Sequence, residues 1–234
     1  MMERTRGLRE RSKHMLLEFQ NVCGTDKGFC LKDITFAVPT GYLVGIAGKN
    51  GAGKTTLLHY IADEKKRYTG SIRFLGQELH SSHTKLLNQI AFVADEAAFF
   101  KMYSARRNVK LLSPFYEEWE QDIFEKVAKE VSLATGTRMK LDTPLSKLSR
   151  GEYLRFQMIF AMAHHTKLYL LDEVTGGMDP VFRKEFFRLL HRILEQGDAS
   201  VLMTTHIEEE LKEKVDYVGM MQEGQLTSFC EAGA

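Results

Sequence analysis

The sequence has no long hydrophobic run and only three cysteines among its 234 residues. The longest apolar stretch, at positions 156–163, is far shorter than the roughly 20 residues that a membrane-spanning helix needs. Cys23, Cys30 and Cys230 lack the spacing of a metal site. An odd number of scattered cysteines, with no signal-peptide pattern, indicates free thiols in a reducing compartment. We therefore expect a cytoplasmic protein that does not itself cross a membrane.

The sequence also lacks an excess of charge of either sign. Lysine and arginine number 32 and aspartate and glutamate 31, so the net charge is +1. Nucleic-acid binding needs a concentrated basic surface that releases counterions, and we predict no nucleic-acid partner. Hydrophobic residues make up 44% and charged residues 27% of the chain, which is typical of a globular fold.

Residues 1–14 differ from the rest of the chain because they combine little apolar content with a cluster of basic residues. These are Arg4, Arg6, Arg9, Arg11 and Lys13. We interpret residues 1–14 as a disordered tail. A weak attraction to acidic lipid is the alternative, although stable anchoring usually needs two signals. A single folded domain is expected over residues 15–234.

Short apolar segments alternate with helical patterns along the rest of the chain. We predict strands at 16–22, 34–38, 42–47, 71–74, 90–93, 168–171, 200–204, 217–221 and 225–227. We predict helices from 54 to about 61 and over 149–163, 182–193 and 207–214. A helical pattern over 104–131, broken at Pro114, indicates a helical subdomain inserted at about 95–163. Strands alternating with helices predict an α/β fold with a mainly parallel sheet flanked by helices.

Positions 48–55 match the phosphate-loop pattern G-x-x-x-x-G-K-[ST]. Glycines permit a tight turn whose N–H groups point at phosphate oxygens, and the helix N-terminus that follows favours an anion. Lys54 can reach the β- and γ-phosphates, and the Thr55 hydroxyl can bind Mg²⁺. The alternative, a structural glycine turn, is disfavoured by the apolar strand before the loop and the helical pattern after it. The predicted nucleotide-binding residues are Gly48, Lys49, Asn50, Gly51, Ala52, Gly53, Lys54, Thr55 and Thr56.

Two acidic residues, Asp172 and Glu173, follow directly after the predicted strand at 168–171. A carboxylate at the end of a buried strand can orient Mg²⁺, usually through a bound water, and we assign this role to Asp172. Side chains alternate along a strand, so Glu173 points elsewhere and can polarise a water for attack on the γ-phosphate. An acidic turn of no function is the alternative, and the upstream phosphate loop makes it a poor explanation.

From position 15 onward, the chain resembles the nucleotide-binding domain of an ABC ATPase. Three further segments carry the resemblance: Leu148-Ser149-Arg150-Gly151-Glu152, Gly176-Gly177-Met178-Asp179-Pro180 and Thr204-Thr205-His206. The resemblance implies a P-loop NTPase fold with an antiparallel β subdomain and an inserted helical subdomain. It also implies ATP and Mg²⁺ as ligands.

The resemblance implies roles for five more residues. In the family, the signature segment lies across from the phosphate loop of a second copy, so Ser149, Gly151 and Glu152 would contact ATP held by the partner. His206 would contact the γ-phosphate and help to hold the water and Glu173. Asp179 would lie at the interface of the two domains. A homodimer is the favoured assembly.

The chain departs from the family pattern at several positions. Asp95 stands where the Q-loop usually has glutamine, and a carboxylate there can still meet Mg²⁺ or its water, although over a shorter reach. Arg150 replaces the first signature glycine and Glu152 the signature glutamine, substitutions that also occur among exporter ATPases that resemble this chain. The aromatic residue that stacks on adenine is not obvious. Phe29 is our candidate, and a poor stack would admit GTP.

The favoured function is the ATPase subunit of an ABC transporter, which powers export through a separate membrane permease at the inner face of the cell membrane. The permease would bind the helical subdomain, where Phe99, Phe100, Met102 and Tyr103 could form either an interface or core. A soluble ABC ATPase in an assembly machine, such as iron–sulphur cluster assembly, is the alternative. A catalytically inactive module is disfavoured by Lys54, Asp172, Glu173 and His206.

Overall fold

The computed structural model describes residues 14–26, 28–63, 65–79, 86–96, 99–135, 138–176, 178, 180–195, 197–207, 211 and 214–233. The predicted tail, except for residue 14, lies outside the described residues, and so does Asp179. Most of the helix predicted at 207–214 also lies outside them.

Ten strands and five α-helices are present in the described part of the chain. The strands are β1 (Met15–Asp26), β2 (Phe29–Pro39), β3 (Leu43–Ala47), β4 (Thr69–Phe74), β5 (Gln77–Glu78), β6 (Ile90–Val93), β7 (Leu168–Asp172), β8 (Ser200–Thr205), β9 (Tyr217–Gln222) and β10 (Gln225–Glu231). The helices are α1 (Lys54–Ala62), α2 (Ala105–Leu112), α3 (Gln121–Thr135), α4 (Arg150–Met162) and α5 (Pro180–Glu195). Short 3-10 helices occupy Ser113–Phe115 and Leu145–Lys147.

The larger sheet has the strand order β10-β9-β3-β8-β7-β6. The pairings from β9 through β6 are all parallel, and β10 alone is antiparallel to its neighbour β9. The fold prediction is therefore confirmed. The carboxyl ends of parallel strands lie at one edge of a sheet, where α/β proteins bind ligands. The segments after β3, β6, β7 and β8 consequently meet at this edge.

A second, antiparallel sheet has the order β2-β1-β4-β5 and confirms the expected β subdomain. Its first strand is longer than predicted: β1 continues to Asp26, whereas the alternation of apolar residues ends at Val22. The reason is an irregular register between Phe19 and Gly24, where Asn21 has a φ of 48°. A bulge breaks the two-residue period on which strand prediction rests.

Two apolar cores lie on opposite faces of the parallel sheet. In β7, Leu168 and Leu170 face a core shared with α1 and the antiparallel sheet, and Tyr169 and Leu171 face a core shared with α4, α5 and the helical subdomain. Each face of the sheet is thus covered, as a parallel sheet requires. No helix among the described residues is both long and apolar enough to span a bilayer.

Candidate functional site

The phosphate loop connects β3 to α1 and depends on glycine at two points. Gly53 has a φ of 104°, and a Cβ atom there would lie 2.6 Å from a ring carbon of Phe29. A Cβ atom on Gly48 would lie 2.3 Å from the carbonyl oxygen of Met221. Both distances are too short for a Cβ atom, so glycine fits best at these two positions. The loop therefore packs closely against Phe29 and Met221. Its last glycine directly precedes the N-terminus of α1, which favours an anion.

Lys54 lies at the end of this loop, and its side chain is only 3% exposed. Its Nζ donates hydrogen bonds to the carbonyl oxygens of Gly48 at 2.8 Å and Lys49 at 3.1 Å. It also forms an ion pair with Oε1 of Glu173 at 3.0 Å. A buried ammonium beside a half-buried carboxylate can exchange that partner for a phosphate oxygen. The geometry therefore suits the predicted contact between Lys54 and phosphate.

The hydroxyl of Thr55, in the first turn of α1, meets the carboxylate of Asp172 at the end of β7. Thr55 Oγ1 donates to Asp172 Oδ2 at 2.8 Å and to Oδ1 at 3.1 Å. Hydroxyl and carboxylate oxygens are hard donors of the kind that Mg²⁺ prefers. Among the described residues, no three His, Cys, Asp or Glu side chains converge on a metal site by themselves. Mg²⁺ usually takes several of its ligands from water and nucleotide phosphates.

Glu173 has an unusual backbone conformation, with a φ of 48°. Its N–H donates to the carbonyl oxygen of Thr204 at 3.2 Å and to Thr204 Oγ1 at 3.1 Å. The left-handed conformation turns the chain sharply away from the direction of β7. The carboxylate then lies between Lys54 and His206, whose Nδ1 is 3.6 Å from Glu173 Oε2. The predicted base and the predicted switch histidine are therefore neighbours.

Lys54, Thr55, Asp172 and Glu173 line one cleft with a volume of about 760 Å³, and His206 lies beside Glu173. Phe29 is among its lining residues, next to Gly53, which agrees with a role beside a nucleotide base. Asp95 and Glu96, after β6, also line the cleft. A cleft that joins a phosphate loop, an aromatic ring and several carboxylates can bind a nucleoside triphosphate together with a divalent cation.

A protein-family model described as ABC transporter matches residues 31–176. The chain belongs to the ABC transporter family. Within this family it is an ATP-binding and ATP-hydrolysing domain.

Relatives and solved structures agree with this assignment. The chain is 30% identical over 189 residues to the bacitracin transport ATP-binding protein BcrA of Bacillus licheniformis, covering 81% of this chain and 60% of BcrA. It is 34% identical over 204 residues to the sulfate/thiosulfate import ATP-binding protein CysA of Bacillus cereus, covering 84% of this chain and 56% of CysA. The chain thus spans about six tenths of the length of these relatives. A solved ATP-binding subunit of an ABC transporter shares the fold, with a TM-score of 0.81, 22% identity, and coverage of 94% of this chain and 95% of that one.

The signature segment of this ABC domain forms the N-terminus of α4. Ser149 and Glu152 make a reciprocal cap: Glu152 N–H donates to Ser149 Oγ at 3.3 Å, and Ser149 N–H donates to Glu152 Oε2 at 2.8 Å. Burial alone would raise the pKa of Glu152, but hydrogen bonds from Ser149 and the nearby Lys140 ammonium outweigh it and lower the pKa. A Cβ atom on Gly151 would lie 3.1 Å from the Phe182 ring. Ser149, Gly151 and Glu152 are not among the described residues that line the cleft.

Two of the departures from the ABC pattern, Asp95 and Arg150, form an ion pair that was not predicted from the sequence. Arg150 Nε donates to Asp95 Oδ1 at 2.7 Å. Asp95 therefore lies in the cleft, as predicted, but its carboxylate is engaged by an arginine 55 positions away. Its binding to Mg²⁺ stays a prediction.

Two further contacts were also missed. Thr204 Oγ1 donates to Asp172 Oδ1 at 2.7 Å and so orients the predicted metal ligand. The buried Gln157 side chain, on α4, exchanges two hydrogen bonds with the backbone of Ala94, at 3.1 Å and 2.9 Å. A glutamine within the apolar face of a predicted helix was the available signal for the second contact, because buried amides need partners.

Proposed function

We propose that this ABC domain hydrolyses Mg²⁺-ATP as one of two identical subunits, and that it powers solute export through a separate membrane permease. The observation that carries the proposal is the convergence of Lys54, Asp172, Glu173 and His206 at one edge of the parallel sheet. Lys54, Asp172 and Glu173, from two chain segments, line a single cleft, and His206, from a third segment, has its Nδ1 3.6 Å from Oε2 of Glu173. The relatives named above include both a bacitracin transport protein and a sulfate/thiosulfate import protein. Our preference for export therefore rests on Arg150 and Glu152 in the signature segment, because these substitutions also occur among exporter ATPases that resemble this chain.

The residues of the cleft divide the chemistry of hydrolysis between them. Lys54 and the loop N–H groups bind the phosphates, and Thr55 with Asp172 would hold Mg²⁺. When bound, Mg²⁺ would neutralise charge that develops on the phosphate oxygens. Glu173 orients and polarises the attacking water, and its carboxylate becomes available when Lys54 pairs with phosphate instead. His206, beside Glu173, contacts the γ-phosphate and helps to hold that water in line.

A second copy of the chain completes the site in this proposal. Ser149 and the N–H groups at the start of α4 form a helix N-terminus of the kind that binds anions, and Ser149, Gly151 and Glu152 are not among the described residues that line the cleft of their own chain. In this proposal they contact the γ-phosphate of ATP held by a facing subunit. Two subunits joined through ATP separate when the γ-phosphate is lost, and this opening drives the permease.

The surface proposed for the permease lies beside the helical subdomain. A groove of about 640 Å³ lies between β6 and this subdomain, with His59, Leu87, Phe99, Leu112, Tyr116 and His164 in its walls. The Phe99 ring packs 4.9 Å from the Phe156 ring and belongs to the core. Phe100 and Met102, in contrast, are 51% and 79% exposed. Exposed large apolar side chains favour a protein partner. A permease bound there would hold the chain at the inner face of the membrane.

Co-purification from detergent-solubilised membranes of the source organism tests this proposal. The bait is the Glu173→Gln chain with ATP, and we expect a multi-span membrane protein in stoichiometric yield. A Phe100→Ala/Met102→Gln variant should lose that protein, whereas Leu75→Gln, at an apolar residue 40% exposed in the turn between β4 and β5, should retain it. ATP-dependent solute movement in inverted vesicles then gives the direction. Recovery of soluble partners alone would contradict the permease and favour an assembly ATPase.

A further inference from the structure

Arg150 is the first residue of α4, and its guanidinium bridges two loops of the cleft. Its Nε donates to Asp95 Oδ1, after β6, at 2.7 Å. Its Nη2 donates to the backbone carbonyl oxygen of Glu173, after β7, at 3.1 Å. Arginine presents several donors in a fixed planar fork, so one side chain can hold two acceptors in a defined relative position. Arg150 thus contacts two residues that line the cleft of its own chain, Asp95 and Glu173, although neither Arg150 nor Ser149 is itself among the described lining residues.

The contact between Arg150 and Asp95 reduces the negative charge of the cleft. Four carboxylates line the cleft, on Asp95, Glu96, Asp172 and Glu173. The phosphates of a nucleotide are also anionic, and like charges at short range repel each other. Arg150 places a positive charge directly against Asp95. The ion pair is partly exposed, with side-chain exposures of 38% and 56%, so its contribution to folding stability is small. The ion pair still affects a bound anion, because the positive charge of Arg150 cancels the negative charge of Asp95 beside the phosphates.

The contact with Glu173 acts on the backbone of the proposed base. Glu173 holds a left-handed φ of 48°, a conformation that costs free energy for a residue other than glycine. Hydrogen bonds to Thr204 hold its N–H side. Its carbonyl accepts from Gly176 N–H at 3.3 Å and from Arg150. Arg150 is therefore one of the groups that keep this peptide, and with it the direction of the carboxylate, in place.

We propose that Arg150 is a positioning residue of the ATPase site with two separable effects. It neutralises Asp95 and so permits tight binding of the nucleotide phosphates, and it fixes the Glu173 peptide and so raises the rate of hydrolysis. The proposal rests on the proposed role of Glu173 as the base and of this cleft as the nucleotide site. The two effects use different nitrogen atoms, so a charge change at Asp95 compensates only the first.

Three variants, with one matched control, separate the two effects. For each purified variant, the dissociation constant for Mg²⁺-ATP is measured at a low protein concentration, where the chain is monomeric. The kcat is measured separately, at saturating ATP and at a protein concentration where two subunits associate. Arg150→Met should weaken binding about tenfold, with the larger loss at low salt, and should lower kcat at least tenfold. Arg150→Met with Asp95→Asn should recover the affinity but not kcat. Arg150→Lys should keep the affinity and recover kcat only in part.

Arg73→Met is the matched control, because Arg73 also pairs with one carboxylate, on Glu78, and one backbone carbonyl, of Gly76, on the antiparallel sheet. It should leave both constants unchanged. Wild-type values in Arg150→Met would overturn the proposal. Affinity that stays low in the double variant would overturn the charge effect, and full recovery of kcat there would overturn the effect on Glu173. If the wild-type chain itself failed to hydrolyse ATP, or if Glu173→Gln kept full turnover, the assignment of the site would fail instead.

Discussion

The hydroxyl of Thr204 donates a hydrogen bond to Oδ1 of Asp172 at 2.7 Å. Thr204 lies near the end of β8 and Asp172 ends β7, and the two strands are paired in parallel, with these two residues opposite each other. Thr55 approaches the same carboxylate from α1, and its hydroxyl lies nearer to Oδ2, at 2.8 Å, than to Oδ1, at 3.1 Å. Two hydroxyls from different elements thus hold the Asp172 carboxylate, which fixes its plane before a cation binds.

Replacement of Thr204 by valine should weaken Mg²⁺ binding without leaving a cavity in the core. Valine has nearly the same shape, but it cannot hold the Asp172 carboxylate. Loss of a partner that orients a metal ligand typically costs about 10- to 100-fold in metal affinity or activity. The Mg²⁺ concentration for half-maximal ATPase activity should rise by that factor. Thr204→Ser restores the hydroxyl and should behave as the wild type. An unchanged Mg²⁺ requirement in Thr204→Val would contradict the role of this contact.

Replacement of Glu173 by glutamine should nearly abolish hydrolysis and preserve ATP binding. General base catalysis contributes about 10²- to 10⁴-fold to a rate, and glutamine cannot accept the proton. The ion pair of Glu173 with Lys54, at 3.0 Å, is also lost, so Lys54 becomes freer to pair with phosphate. ATP affinity should therefore be equal or higher, as measured by nucleotide titration beside an assay of phosphate release.

The matched control for this variant is Glu223→Gln. Glu223 has a φ of 47°, almost the same as that of Glu173, but it lies in the exposed turn between β9 and β10. It should not change turnover. Wild-type turnover in Glu173→Gln would remove Glu173 as the base, whatever its effect on binding.

His164 should make the fold less stable in acid. Burial lowers the pKa of His164 from 6.5 to about 4, and the ring stacks on Tyr116 at 4.2 Å, with His165 next in sequence. Because the folded-state pKa is lowered, only the unfolded chain takes up this proton between pH 6.5 and pH 4. Stability from this residue is thus complete above pH 6.5 and falls by about 3 kcal/mol on acidification to pH 4.

Urea denaturation at a series of pH values measures this effect. His164→Phe keeps an aromatic ring on Tyr116 and removes the titrating group. The slope of the unfolding free energy against pH, between pH 6.5 and pH 4, should therefore decrease by the equivalent of about one bound proton. His14→Gln, at an exposed histidine, should leave the pH dependence unchanged. A wild-type slope in His164→Phe would show that other groups cause the acid destabilisation.

The parts of the site that were predictable are continuous in sequence. Residues 48–56 carry the pattern of a phosphate loop, and Asp172 and Glu173 follow an apolar run that can only be a strand or a buried helix segment. The parallel sheet then brings the strand ends together, which a fold prediction supplies without any detail of side chains. The roles of Ser149, Gly151 and Glu152 came from resemblance to the ABC family and stay predictions.

The missed parts are contacts between segments far apart in the chain. Arg150 and Asp95 were each recognised as a departure from the family pattern, but nothing in either segment shows that one side chain reaches the other across 55 positions. The extent of β1 was missed because of its irregular register. The two-residue strand β5 was missed because a pattern of period two needs more residues to be visible.

Replacement of Gln157 by methionine should destabilise the fold more than any exposed substitution of the same kind. Gln157 is 2% exposed, and its amide accepts from Ala94 N–H and donates to Ala94 C=O. Methionine fills a similar volume but leaves both backbone groups without these partners, and each buried unsatisfied group costs about 1–3 kcal/mol. The free energy of unfolding should fall by about 2–4 kcal/mol. Gln225→Met, on the exposed side of β10, is the control and should change it by less than about 0.5 kcal/mol. Equal stability of the two variants would mean that Ala94 finds other partners, and that α4 is not tied to the loop of Asp95 through this pair.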